Sequence, residues 1–244
     1  MSYNWNWGIL LEQSPEGIGS YLYTLWLGLQ WTMLVAAGAW ILALAVGSVL
    51  GVARSLPGRW FSPLATAYVE IFRNIPLLVQ LFLWYFVMPE LLPRSWGLWV
   101  KQLPNAPLYT AILGIGLYMG SRVGEQLRAG IQALPRGQMM AATAIGLTVP
   151  QAFRFVILPQ AYRIILPPLT SEFLNTIKNT SVALTIGLLE LTARARAMQE
   201  YSFQVFEAFT AATVLYLLLN IAVTFAMRLI ESRVAVPGLG VLKK

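Results

Sequence analysis

The groups available for chemistry in this chain are carboxylates, guanidinium and ammonium groups, hydroxyls and amides. Its 244 residues include no cysteine, no histidine and no aspartate. That removes disulfides, thiolate and imidazole metal sites, Ser-His-Asp triads and cysteine nucleophiles together. The glutamates that remain are scattered, so a carboxylate pair for hydrolysis is a poor first reading. What the spacing does offer is opposite charge inside apolar stretches: Glu70 with Arg73, then Arg122, Glu125 and Arg128, then Glu172 with Lys178. Charges in such surroundings are costly unless paired or hydrated, so they either hold helices together or line a path for a charged solute. Arg73 and Lys178 suit a carboxylate, while Glu70 and Glu172 suit an ammonium group. For Lys178 an ion pair with Glu172, or a cation at a helix end, is an equal alternative.

The elements that carry these charges are membrane helices. Hydrophobic residues make up 57% of the chain, charged residues 11%, and mean hydropathy is +0.64. Too few polar residues are present to cover a water-facing surface. The net charge of +7 is spread along loops, which argues against a nucleic-acid patch and for loop charges that report orientation. Five spans are predicted, at about 21–51, 63–87, 108–127, 163–184 and 206–230. Residues 1–20 hold Tyr3, Trp5 and Trp7 without a basic residue, which suits an outer interfacial segment and not a signal peptide. Residues 88–107 read as an outer loop with Trp96 and Trp99, and 185–203 as a second outer loop dipping at 186–189. In the third span Gly114, Gly116 and Gly120 permit close helix approach.

This topology puts ten cations inside (Arg54, Arg59, Arg128, Arg136, Arg154, Arg163, Arg228, Arg233, Lys243 and Lys244). Four lie outside (Arg94, Lys101, Arg194 and Arg196) and three within spans. The N-terminus is therefore expected outside and the C-terminus, a tail of residues 234–244, inside.

Residues 134–161 form a moderately polar island between the apolar stretches. Ala141, Ala142, Ala144 and Ile145 make a small flat helical face, Gly146 allows a turn with positive φ, and Thr148 with Pro150 starts the next helix. A short helix is expected at 151–162. The spacing of Ala141-Ala142, Gly146 and Ile157-Leu158-Pro159 resembles the EAA loop of binding-protein-dependent ABC-importer permeases. The run from Tyr68 to Gln80, which includes Asn74, and the run from Leu174 to Ser181 are similar to that family as well.

The resemblance implies an all-α integral membrane protein of the type I, MetI-like permease fold, occupying residues 21–233, with a cytoplasmic coupling helix. It implies ATPase-coupling residues Met140, Ala141, Ala142, Gly146, Leu158 and Pro159. Met140 stands where the family most often has glutamate, so an acidic contact would be replaced by an apolar one. It implies a substrate path through Glu70, Arg73, Asn74, Glu172, Asn175, Lys178, Asn179, Thr180 and Ser181. The partners implied are two ATPase subunits, a second permease that is a copy or a paralogue, a periplasmic amino-acid-binding protein and the bilayer of the bacterial inner membrane. No nucleotide-binding Gly-x-x-x-x-Gly-Lys-Ser/Thr sequence is present, so no cofactor is expected on this chain, and ATP with magnesium belongs to the ATPase.

The sequence is most similar to polar amino-acid permeases, those for glutamate and aspartate first; glutamine, histidine or arginine is the alternative. A channel-like or structural subunit is the reading from another class. A secondary transporter is disfavoured because no internal repeat is visible.

Overall fold

The computed structural model describes residues 3–56 and 61–234, and these are almost entirely helical. In chain order the α-helices are α1 (Tyr21–Ser55), α2 (Phe61–Asn74), α3 (Leu77–Phe82), α4 (Met88–Leu91), α5 (Arg94–Gln102), α6 (Ala106–Ala133), α7 (Arg136–Ala144), α8 (Val149–Ala152), α9 (Leu158–Asn179), α10 (Leu191–Ser202) and α11 (Val205–Val234). Helices α1 and α11 are long and apolar enough to cross a membrane, and α2 with α3 and α4 qualifies only as one broken span. Helices α6 and α9 are long enough by length, but both carry charges that need protein or water beside them. The Pro57-Gly58-Arg59 turn and the tail with Lys243 and Lys244 lie outside the described residues.

Two compact units are formed. The first comprises Met1–Trp40, Pro76–Gly116 and Leu174–Val223. Its core joins Ile9, Tyr21, Leu25 and Leu29 to Leu191, Ala195, Met198, Ala208 and Ala212. The interfacial segment expected at 1–20 is a 3-10 turn, Trp7–Leu11, followed by an antiparallel bridge between Gln13 and Ser20. Polar contacts fasten it: Arg194 pairs with Glu16, and the buried Glu207 carboxylate accepts the Asn6 amide at 2.7 Å and the Tyr3 hydroxyl. Trp5 and Trp7 stack 5.8 Å apart with both rings exposed, as amphipathic rings at a membrane interface do.

The second unit comprises Ile41–Ile75, Leu117–Phe173 and Thr224–Lys244. Here α1 and α6 meet through two reciprocal glycine pairs, only one member of which the sequence reading singled out. A Cβ on Gly47 would lie 2.6 Å from the Val123 side chain and 2.9 Å from the Gly120 carbonyl oxygen; one on Gly51 would lie 2.9 Å from the Gly124 carbonyl oxygen. Gly124 in turn faces Leu50 and the Gly47 carbonyl. Four glycines at spacing of four bring two backbones into contact, the device helices use where lipid offers no hydrophobic drive. Gly47→Leu is expected to destabilise the protein by roughly 2 kcal/mol or more, because the Val123 Cβ and the Gly120 carbonyl, neither of them the far end of a flexible side chain, block the new atoms. A thermal melt in detergent against wild type checks this, with Gly137→Leu, which meets open space, as control.

Four expectations need correction. The unbroken second span is interrupted: α2 ends at Asn74 and α3 begins at Leu77, because Pro76 is extended (φ −56°, ψ 138°) and lacks an amide hydrogen. The loop expected at 88–107 contains α4 and α5, seated so closely that a Cβ on Gly97 would lie 2.2 Å from the Pro89 carbonyl oxygen. No separate helix covers 151–162: α8 passes through a π turn, Phe153–Ile157, straight into α9, the turn absorbing the missing donor of Pro159. The second outer loop contains α10, whose N-cap is Glu190 and whose start the glycine turn at 187 (φ 87°) prepares.

Candidate functional site

The island at 134–161 builds an exposed apolar surface on a rigid base. Helix α7 closes with Gly146 at φ +90°; the Gly146 amide donates to the Thr143 carbonyl at 3.0 Å and the Leu147 amide to the Ala142 carbonyl at 3.2 Å. This paired arrangement satisfies the last carbonyls and sets the exit direction, which only a residue tolerant of positive φ allows. Thr148 then caps α8, its amide and hydroxyl each 2.9 Å from Gln151 Oε1, with Pro150 in the first turn. Met140 is 64% and Ile145 78% exposed, Ala141 is exposed next to Met140 in sequence, and Pro159 is exposed at the start of α9. Ala142 is different. It is 3% exposed and faces the chain's own interior, so it seats α7 and does not itself offer a surface, while Leu158 is half-buried. Phe155 is also exposed, with the Arg154 guanidinium 5.5 Å from its ring.

The charged residues sort into pairs that spacing alone does not give. Among the described residues Glu70 and Arg73 form no ion pair with each other; Asn74 Nδ2 donates to the Glu70 carbonyl at 2.8 Å and its carboxylate at 3.3 Å. All three are exposed at the end of α2. Glu125 bridges Arg54 of α1 and Arg128 of its own helix, with Arg128 Nη1 donating to Gln132 at 2.8 Å. The third member of the expected series, Arg122, stands apart. Its guanidinium lies 5.5 Å from the Tyr118 ring and its Nη1 is 3.6 Å from Glu172 Oε1, so α6 supplies a partner of the buried Glu172.

Beyond Glu172 the polar run divides in two. Asn175 and Asn179 are half-buried and Lys178 is exposed at the last turn of α9. The Thr180 hydroxyl donates to the Ile177 carbonyl and the Ser181 hydroxyl to the Lys178 carbonyl, both at 2.8 Å, closing the helix end into a 3-10 turn. Those two hydroxyls therefore serve the backbone in this structure.

In the first unit Glu190 gathers the most polar contacts. The fully buried carboxylate accepts the Ala193 amide at 2.8 Å, the Thr192 amide at 3.0 Å, the Tyr216 hydroxyl at 2.8 Å and the Thr32 hydroxyl at 3.4 Å. Gly28 of α1 allows this: a Cβ there would lie 2.9 Å from Leu191 Cα. Burial pushes the Glu190 carboxyl above its usual value, against the amide donors that pull it down. Sequence reasoning missed it because glutamate is not among the strongly preferred N-caps.

The family of binding-protein-dependent transport system inner membrane components matches residues 43–236, from within α1 past the end of α11. The chain belongs to this family. As an inner-membrane transport component it is a transport subunit and not an enzyme, and it has the MetI-like permease fold. The glutamate/aspartate import permease protein GltJ of Escherichia coli K12 is 49% identical over 98% of both chains. A probable amino-acid ABC transporter permease, PatM of Vibrio harveyi, is 36% identical over 76% of this chain and 80% of its own. Among solved structures, an amino acid ABC transporter crystallised with histidines superimposes with a TM-score of 0.73 at 28% identity, covering 87% of this chain and 95% of that one. The MetNI methionine transporter, at 20% identity and a TM-score of 0.68, shares the fold.

Proposed function

We propose that this chain is the permease subunit of an ATP-driven importer that carries glutamate and aspartate across the inner membrane. The observation that carries the substrate is the 49% identity to the glutamate/aspartate permease along 98% of the chain. The exposed apolar face of α7 supports coupling to a separate ATPase: Met140, Ala141 and Ile145 present it, Ala142 and Gly146 hold its shape, and Leu158 with Pro159 continue into α9. Two such ATPases, binding ATP and magnesium, a second permease and a periplasmic binding protein complete the assembly. In this reading α1, the broken α2–α4 segment, α6, α9 and α11 are five spans, with the N-terminus outside and α7 in the cytoplasm. The substrate path runs by Glu70, Arg73, Asn74, Glu172, Asn175, Lys178 and Asn179, with Thr180 and Ser181 shaping the end of α9.

Uptake by the complex in liposomes, loaded with its binding protein and ATP, is the test. Labelled glutamate and aspartate are expected to accumulate well above labelled glutamine and histidine. Efficient histidine or arginine uptake with none of the acidic pair overturns the substrate assignment.

A further inference from the structure

We propose that the segment from the end of α3 to the start of α6 holds one aminophospholipid, with its phosphate on Lys101, its primary ammonium on Glu90 and an acyl chain running along Phe86 and Phe82. The inference goes beyond the transport reading. It takes from that reading only the placement of this segment at the outer face of the membrane.

The site is a cavity of about 330 Å³ between Tyr85, Phe86 and Glu90 on one wall and Lys101, Ala106 and Thr110 on the other. That volume lies at the small end of ligand sites and suits a head group. All of its lining falls within Pro76–Gly116, inside one compact unit. Two backbone features set its walls. Leu83–Val87, which carries Tyr85 and Phe86, winds as a π turn, a conformation frequent at functional sites. Helix α5 lies close against α4 at Gly97 and the Pro89 carbonyl, which brings Lys101 opposite Glu90.

The Lys101 ammonium donates to the Glu90 carboxylate, yet these side chains are 44% and 67% exposed. A pair so open to water contributes little to stability, so exchanging it for the charges of a ligand costs little. A phosphate on Lys101 and an ammonium on Glu90 make two charge-assisted contacts in its place. The Tyr85 and Phe86 rings, edge to face at 4.9 Å, offer the ammonium an aromatic surface as well. A head group with a phosphate and no cation would leave Glu90 facing an anion.

An apolar track distinguishes a lipid from a free zwitterion. Phe86 lines the cavity and is exposed, its ring lies 5.7 Å from that of the exposed Phe82, and Leu83 is exposed between them in sequence. An acyl chain covers this track, whereas a small soluble ligand leaves it bare. Trp96 and Trp99 on α5 are exposed too, as aromatic side chains at head-group level are.

The experiment reconstitutes the purified permease–ATPase complex in nanodiscs of equal parts phosphatidylethanolamine, phosphatidylglycerol and phosphatidylcholine, releases it into mild detergent and counts retained lipids by native mass spectrometry. Wild type is expected to retain phosphatidylethanolamine about fivefold over phosphatidylglycerol, the scale of a partly exposed charge contact. Lys101→Gln is expected to lose most of the retained phosphatidylethanolamine. Glu90→Gln is expected to raise phosphatidylglycerol until the preference disappears, a change of selectivity that a merely structural pair would not produce. Both variants should melt within about 1 °C of wild type, since both side chains are exposed. Glycerophosphoethanolamine, which has the head group without the chains, should displace no lipid. Wild type retaining the three lipids alike overturns the inference, as do variants that retain them like wild type or displacement by glycerophosphoethanolamine. Unchanged lipid retention with weaker association of the binding protein in both variants would instead make the segment a protein-docking face. None of these outcomes bears on glutamate uptake, which the liposome assay reads separately.

Discussion

Glu190→Ala is expected to lower the melting temperature of the purified protein by on the order of 10 °C, without touching any residue assigned to substrate or ATPase. The carboxylate is fully buried and takes two backbone amides at the start of α10 and the hydroxyls of Thr32 and Tyr216. Truncation leaves these donors inside the protein with no acceptor, at about 1–3 kcal/mol each. A total of roughly 3 kcal/mol is enough for a shift of that size. Glu190→Gln keeps one acceptor oxygen but turns its amide toward donors, so a smaller loss is expected. Burial raises this carboxyl, so the folded state holds the proton more tightly than the unfolded chain. Its contribution is full below the ordinary glutamate range and is lost as pH climbs through the raised value. The gap in melting temperature between wild type and Glu190→Gln should therefore narrow as the pH is raised above that range. A gap that widens instead would mean the amide donors, and not burial, govern the group.

The case of Glu190 shows where sequence reading runs out. Apolar run length places α1 and α11 directly, because a lipid-facing helix must be apolar over its whole circumference. It cannot place α10, a helix with Arg194 and Arg196 in its middle, because that element is held by contacts from residues far away in the chain: Glu16 on Arg194, Thr32 and Tyr216 on Glu190. The same limit explains the charged pairs. An i,i+3 spacing correctly joined Glu125 to Arg128, since that bond lies within one helix turn. It failed for Glu70 and Arg73, where the nearer Asn74 amide reaches the carboxylate, and it could not find Arg122 for Glu172, which are 50 positions apart.

Local chemistry was more legible in the coupling segment. The positive φ of Gly146 and the cap at Thr148 are dictated by residue type at the position itself, and both occur. Which alanine faces outward was not legible, because Ala141 and Ala142 are alike and only the packing of α7 distinguishes them.

That distinction decides how coupling should be tested. A bulky residue at Ala142 would disturb the chain's own packing, and a β-branched residue at Gly146 would strain a backbone at φ +90°, so loss of transport in either variant would not speak to docking. Ile145 is the better probe. At 78% exposure its side chain contributes little to the fold, and it is the C-cap of the short helix that carries Met140. Ile145→Asp is expected to leave the melting temperature of the isolated permease within about 1 °C of wild type, as surface changes do. ATP-driven uptake and copurification of the ATPase should nevertheless fall at least about tenfold, because a charge placed in an apolar contact must be desolvated without a partner. Met140→Glu, which introduces the acidic residue that the resemblance to the EAA loop implies at this position, should be far milder. If Ile145→Asp retained both the ATPase and full uptake, the α7 surface would not be the point where nucleotide hydrolysis enters this subunit, however well its shape suits that task.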